Sequence, residues 1–241
     1  MSDPLAPLLE LDGVADAAKK AQDAVFAVHR LPANLRGGSA TAAEASVRAA
    51  RASAALDGAD PEIPADAEVR DPVLAGALRV AEASESLLPT WRRAPRQALA
   101  RMHVLAAADL VTDQDTLGRP GPAAGARLDL LTQLVTGATA APGPVLTAVV
   151  HGELLALKPF GTADGVLARA AARLTMTAAG VDPKGLSVPE VAFLRRASRY
   201  QEAAAAFATG TPDGVREWLL FSCEALEAGA REARSIADAA G

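Results

Sequence analysis

Residues 151–174 read H-G-E-L-L-A-L-K-P-F-G-T-A-D-G-V-L-A-R-A-A-A-R-L, and they predict a helix, a sharp loop and a second helix. Apolar residues at helical spacing lead into the stretch and give the first helix a buried face; they are Leu146, Val149, Val150, Leu154 and Leu157. Pro159 ends that helix, because proline has no N–H group and biases the residue before it away from helical angles. The glycine-containing run over 161–165 predicts a turn, and the second helix begins near Gly165.

A glycine-containing loop that leads into a helix presents free backbone N–H groups and the positive end of the helix dipole, which favours an anion. The candidate residues for binding an anion or a nucleotide are Phe160, Gly161, Asp164, Gly165, Arg169 and Arg173. Lys158 adds a positive charge, although a lysine at a helix C-terminus is stabilising on its own. The carboxylate of Asp164 acts against the site, because it would repel a phosphate or pair with Lys158.

The loop resembles the signature of the Fic family, whose members transfer AMP or a related group from a nucleotide to a protein hydroxyl. The family pattern H-P-F-x-[DE]-G-N-G-R-x-x-R falls on residues 158–169, which read K-P-F-G-T-A-D-G-V-L-A-R. The matching positions are Pro159, Phe160, Gly165 and Arg169. The departures are Lys158 for the catalytic histidine, Thr162 for the metal-binding acid, Ala163 for a glycine, Asp164 for the asparagine and Val166 for the first arginine.

Two further segments extend the resemblance over most of the chain. Residues 53–58, S-A-A-L-D-G, fit the family's inhibitory-helix pattern [ST]-x-x-x-[DE]-[GN] with Ser53, Asp57 and Gly58, and residues 199–219 resemble its closing helices. The resemblance implies that the inhibitory acid pairs with the last arginine of the loop. We therefore expect a salt bridge between Asp57 and Arg169. The alternative is that Asp57 is a turn residue before Gly58, a common place for aspartate.

The composition favours a helical fold. Hydrophobic residues make up 50% of the chain and aromatic residues only 3%, which is typical of closely packed helices rather than of a β-sandwich. Residues 112–126 show no paired β-branched runs, although active family members carry a β-hairpin flap in this region. We predict an all-α, Fic-like helical bundle whose flap is shortened or missing. Its expected parts are an N-terminal helical region over 1–96, with the inhibitory-type helix over about 39–58, and a Fic-like core over 97–241.

The departures from the family pattern predict weakened catalysis. A general base needs a pKa near the working pH, whereas lysine starts near ~10.4, so Lys158 is mostly charged and cannot take a proton from the attacking hydroxyl. Val166 cannot make the charge-assisted phosphate contact of an arginine, and Thr162 offers Mg²⁺ no carboxylate. Under the resemblance, AMP transfer is absent or very slow. The residues name neither a cofactor nor a metal ligand; the resemblance implies ATP with Mg²⁺.

Bulk properties narrow the classes of partner. The formal charge is −5, without the basic excess typical of nucleic-acid binders. Cys223 is the single cysteine, so no intrachain disulfide can form. The first residues lack a signal-peptide pattern, and no apolar stretch is long enough to span a bilayer. We expect a cytoplasmic protein with no membrane or nucleic-acid partner; a protein partner and any oligomeric state stay open.

Three functions remain as hypotheses. The first is a degenerate Fic protein that keeps the fold and binds a nucleotide, another anion or a protein. The second is a working nucleotidyl- or phosphoryl-transferase that acts on a protein hydroxyl, with Lys158 assisting, because phosphoryl transfer relies mainly on positioning and electrostatics. The third is a helical interaction domain with no ligand at the loop.

Overall fold

The computed structural model describes residues 3–35, 38–63 and 68–240, and within these ranges the chain is helical and contains no β-strand. The all-α prediction is therefore confirmed. The α-helices are α1 (Val14–His29), α2 (Pro32–Leu35), α3 (Ser39–Leu56), α4 (Pro72–Arg93), α5 (Pro95–Ala107), α6 (Gly125–Gln133), α7 (Gly143–Leu157), α8 (Asp164–Ala178), α9 (Pro189–Arg195), α10 (Ala197–Ala208) and α11 (Pro212–Ala239). Two short 3₁₀ helices, Gln114–Thr116 and Pro122–Ala124, lie in the segment where the flap was expected to be shortened or missing.

The helix α7 lies between two apolar cores, which explains why its sequence is apolar on nearly every side. Val145 and Ala148 face the first core, whereas Val150 and Leu154 face the second. A helix that is hydrophobic all round is buried all round. None of the helices in the described ranges is both long enough and apolar enough to cross a lipid bilayer.

The two cores combine helices from both ends of the chain. The first joins α1 and α11 to α7, α9 and α10 around a group of aromatic rings, Phe193, Tyr200, Phe207, Trp218 and Phe221. The second joins α3, α4 and α5 to α8, with Trp91 fully buried in it. Helices that precede residue 97 thus contribute to both cores. The division into regions 1–96 and 97–241 stays a prediction.

Close contacts between helices account for the abundance of small residues. At Gly76 of α4, an added Cβ atom would lie 2.1 Å from the carbonyl oxygen of Ala106 in α5. The two backbones can approach this closely only because α4 carries glycine there. The expectation of closely packed helices is met at this crossing.

The end of α3 positions the candidate site. The helix ends at Leu56, two residues before the predicted end of the inhibitory-type helix, and Gly58 follows with a φ of 90°, a conformation that favours glycine. This turn brings Ser53 and Asp57 against α8. Residues 64–67 of the connector that follows lie outside the described residues.

Candidate functional site

The loop between α7 and α8 makes the tight bend that the sequence predicts, and it does so with strained backbone. Lys158 ends α7 with a φ of 46°, and Ala163 precedes α8 with a φ of 54°. Within the described ranges these are the only residues other than glycine with positive φ. The left-handed conformation costs an L-residue roughly 1–2 kcal/mol. Such strain persists only where the surrounding structure enforces it, and it concentrates at functional sites.

Asp164 closes the loop on itself. One carboxylate oxygen accepts a hydrogen bond from the backbone N–H of Phe160 at 3.0 Å. Burial raises the pKa of Asp164, and the N–H groups of Phe160 and Gly161 and the charge of Lys158 act in the opposite direction. Lys158 itself is exposed and forms no salt bridge in the part of the chain that the structure describes. The aspartate therefore uses loop N–H groups that the sequence suggested for an anion.

Arg169 is the centre of the site and is buried, with 2% of its surface exposed. Its guanidinium donates to the hydroxyl and the carbonyl oxygen of Ser53 at 2.7 and 2.9 Å. It also reaches a carboxylate oxygen of Asp57 at 2.8 Å and the hydroxyl of Tyr200 at 3.3 Å. The salt bridge predicted between Asp57 and Arg169 is confirmed. The end of α3 therefore supplies most of the acceptors of this arginine.

The carboxylate of Asp57 also covers the start of α8. A Cβ atom added at Gly165 would lie 2.5 Å from both carboxylate oxygens, so the aspartate rests on the glycine itself. This is the positive end of the helix dipole, where the sequence predicts an anion. The anion in this position is part of the chain.

The hydroxyl of Tyr200 extends the network to His151. Its oxygen accepts from Arg169 and lies 2.9 Å from Nε2 of His151. A hydroxyl has one proton and two lone pairs, so that of Tyr200 either donates to an unprotonated Nε2 of His151 or accepts from a protonated one, according to the tautomer. Burial, and next the charge of Arg169, lower the pKa of His151 to about 3, so the ring is neutral. Sequence reasoning noted Tyr200 only as part of the family resemblance and missed this role.

His103 supports the loop from the side of α5. Its ring stacks on Phe160 with centroids 4.3 Å apart, and its Nδ1 accepts the backbone N–H of Gly118 at 2.9 Å. Burial lowers its pKa, so the ring is neutral and the remaining proton lies on Nε2. The segment that contains Gly118 also touches the loop, because the N–H of Gly121 donates to the carbonyl oxygen of Pro159 at 2.8 Å.

Arg173, one turn after Arg169 on α8, has its donors occupied by the segment that follows the helix. It donates to the carbonyl oxygens of Gly185 and Ser187 at 2.9 and 2.8 Å, and it lies 3.3 Å from a carboxylate oxygen of Glu190. The expectation that Arg173 takes part in anion binding stays a prediction.

The arrangement of the helices resembles that of a solved structure. The crystal structure of a Fic family protein from Desulfovibrio desulfuricans G20 at 2.70 Å resolution matches 93% of this chain and 74% of that chain, with a TM-score of 0.71 and 18% sequence identity. The chain has a Fic-like fold. No family model and no curated protein matches it at the level of sequence. At this identity the similarity concerns the fold alone.

The closed loop of this Fic-like fold does not fit ATP with Mg²⁺ in the conformation described. Thr162 provides no carboxylate for a metal ion, and the carboxylate of Asp57 would repel a phosphate at Gly165. A phosphate could reach the start of α8 at Gly165 only if the carboxylate of Asp57 moved away from it.

Proposed function

We propose that this chain is a non-catalytic protein of Fic-like fold that does not transfer AMP and acts by binding. In the conformation described, the chain's own side chains close the loop. The ligand is then a protein partner that contacts the closed loop, or a phosphate-bearing molecule that binds after Asp57 has moved away from Gly165.

The pairing of Arg169 is the observation that carries this proposal, because protein acceptors take four of its five N–H donors. A phosphate can make a two-donor contact with this guanidinium only if at least one protein acceptor is exchanged for a phosphate oxygen. Here Ser53, Asp57 and Tyr200 already provide acceptors, and the two residues from α3 act together. Releasing Asp57 alone would leave a buried positive charge only partly compensated, which is costly. The closed arrangement is therefore favoured in the absence of a ligand.

The chemistry of the loop supports the absence of transfer. The position that would hold a general base carries Lys158, which is exposed to water and positively charged at neutral pH. Val166, in place of the family's first arginine, is buried with 3% of its surface exposed and packs in the second core. Neither side chain can accept the proton of an attacking hydroxyl or hold a phosphate as a guanidinium does.

A working transferase is the alternative function, and it would need a base from elsewhere in the fold. His103 is the neutral histidine next to the loop, but its one lone pair on the ring nitrogens is used by the N–H of Gly118. Its Nε2 therefore carries a proton and can donate but not accept. This geometry disfavours His103 as a substitute for the missing base.

The experiment is a transfer assay with ATP labelled at the α- or the γ-phosphate, incubated with lysate and with the purified wild type or Asp57→Ala. We expect neither protein to add label beyond that seen in lysate alone, because the removal of Asp57 opens the site without supplying a base. Asp60→Ala is the matched control, since Asp60 lies in the same connector and is exposed, and among the described residues its carboxylate accepts only the nearby N–H of Glu62. Label on any protein that depends on the added chain would establish the transferase instead.

A further inference from the structure

A second feature of the molecule is a groove of about 540 Å³ between α1, α9 and α11, which no residue of the loop lines. Its charged lining consists of Lys20, Arg195, Arg196 and Arg231 with Glu224 and Glu227; we call it the arginine groove. The whole chain carries a net charge of −5. The groove, with four cations against two carboxylates, is thus a local excess of positive charge on an acidic protein.

Arg196, which lines the groove, and its neighbour Arg199, which does not, are held in place before any ligand arrives. Arg196 and Arg199 both reach a single carboxylate oxygen of Glu224, at 3.1 and 3.0 Å. Both guanidinium groups also lie over the ring of Phe221, 5.0 and 5.2 Å from its centroid. Each guanidinium has five N–H donors, so sharing one carboxylate leaves donors available. Because the side chains are already ordered, an anion that binds them loses less of its affinity to conformational entropy.

Two further arginines of the groove lack a strong partner. Arg195 is 72% exposed, and the carboxylate it approaches, that of Glu232, lies 3.5 Å away and also binds Arg48 at 2.8 Å. Arg231 is exposed and has no ion pair within the described ranges. These guanidinium groups therefore have N–H donors that can bind an external carboxylate.

We propose that the arginine groove binds a carboxylate-rich segment of a partner protein. The planar guanidinium fork matches a carboxylate. Glu224 shows that a carboxylate oxygen can lie within reach of two arginines here, because Nη1 of Arg196 and Nη1 of Arg199 both contact it. Carboxylates spaced along a peptide can bind the arginines while avoiding Glu224 and Glu227. A polyanion with charges at every position would place some of them next to these glutamates, which would repel them. This proposal does not depend on whether the loop is catalytic.

The test uses the full chain and a short fluorescein-labelled peptide of Glu, Asp and Ser, with fluorescence anisotropy at low salt. The neutral comparison peptide has Gln and Asn in place of the acids. We expect the acidic peptide to bind better than the neutral one and its affinity to fall as salt is added. In Arg195→Glu/Arg231→Glu, affinity for the acidic peptide is expected to fall about tenfold.

The matched control is Arg92→Glu/Arg93→Glu on α4. These arginines are exposed and do not line the groove, and the control changes the net charge by the same amount. Circular dichroism and the thermal midpoint verify that both variants are folded. The proposal is overturned if the wild type binds the two peptides equally, or if both double variants lose affinity to the same extent.

Discussion

Two loops flank α8, and an aspartate organises each of them. Before the helix, Asp164 accepts the N–H of Phe160. After the helix, Asp182 accepts the backbone N–H groups of Leu186 and Ser187 at 2.9 and 2.8 Å and also the hydroxyl of Ser187, and it lies 2.9 Å from Nε2 of His29. Burial raises the pKa of Asp164. Burial acts in the same direction on Asp182, but His29 and Ser187 outweigh it and lower the pKa of that carboxyl.

The two loops also differ in which residues adopt the left-handed backbone conformation. The second loop places glycines, Gly180 and Gly185, at its left-handed positions, with φ of 73° and 64°. The first loop instead places Lys158 and Ala163 in that conformation. The second loop thus connects α8 to α1, through Asp182 and His29, without backbone strain. The first loop keeps its shape at a cost in free energy. That contrast supports the proposal that the first loop is a functional site, whereas the second loop stabilises the fold.

The largest expected effect comes from removing the two carboxylates. Asp182→Ala leaves four hydrogen-bonding groups without their buried acceptor and should lower the free energy of unfolding by about 4 kcal/mol. Asp164→Ala removes the acceptor of the Phe160 N–H on a partly buried loop and should lower the free energy of unfolding by about 1 kcal/mol. Urea denaturation at neutral pH measures both. Equal losses of stability would show that the two aspartates stabilise their loops to the same extent, which would contradict the difference described here.

The next effect concerns the close contact at the start of α8. Gly165→Ala should lower the free energy of unfolding by about 2 kcal/mol, because the added Cβ atom displaces the carboxylate of Asp57 from Arg169. In the background of Asp57→Ala, the Gly165→Ala substitution should lower the free energy of unfolding by well under half as much. A double-mutant cycle in urea gives this coupling. Additive effects would mean that Asp57 does not rest on Gly165.

The pH dependence of two conservative variants should have opposite signs. Asp182→Asn should lower stability by about 1–2 kcal/mol at pH 7, because an amide accepts at only one of its two terminal atoms. The folded-state pKa of Asp182 lies below the unfolded value of 3.8. The Asp182 carboxylate therefore stabilises the folded state fully above pH 3.8. As the pH falls from 3.8 through the folded-state pKa, this stabilisation is lost, and the difference in stability between Asp182→Asn and the wild type narrows.

For Asp164 the folded-state pKa lies above 3.8, so the buried charge destabilises the folded state at neutral pH. Asp164→Asn should consequently be at least as stable as the wild type at pH 7. Any advantage should disappear as the pH falls through the folded-state pKa toward 3.8, since the wild-type carboxyl then becomes neutral. Denaturation curves over this pH range measure both differences in stability. If Asp182→Asn and Asp164→Asn changed stability in the same direction at neutral pH, the opposite roles of the two carboxylates would be contradicted.

The smallest expected effect tests the backbone strain itself. Ala163→Gly should raise the free energy of unfolding by about 0.5 kcal/mol, because relief of the left-handed conformation exceeds the added entropy of the unfolded chain. The matched change is Gly180→Ala, where an added Cβ atom meets nothing within 4 Å but the φ of 73° is unfavourable. It should lower stability by about 1 kcal/mol. A loss of stability in Ala163→Gly would remove the argument from strain.

The features that local sequence encodes could be predicted. The apolar spacing before Pro159 and the glycines after it define α7, the loop and α8, because helix period and breakers depend on neighbouring residues. The contact between Asp57 and Arg169 was also predictable, because the resemblance relates two short motifs at a distance in the chain. The segment over 112–126, without paired β-branched runs, contains no strand.

Contacts that depend on tertiary structure could not be predicted. Arg173 shares a face of α8 with Arg169, so the sequence grouped the two, but its acceptors come from the following loop. The link from Arg169 through Tyr200 to His151 joins three helices. The stacking of His103 on Phe160 joins α5 to the loop. No periodicity within a single helix encodes such pairings.

The central claim is that the carboxylate of Asp57 occupies the position where the loop would otherwise attract an anion. Isothermal titration of ATP, with and without Mg²⁺, into the wild type, Asp57→Ala and the control Asp60→Ala tests it most directly. We expect no measurable binding to the wild type or to Asp60→Ala, and measurable binding to Asp57→Ala. Binding of equal strength to all three proteins, or no gain in Asp57→Ala, would contradict the claim.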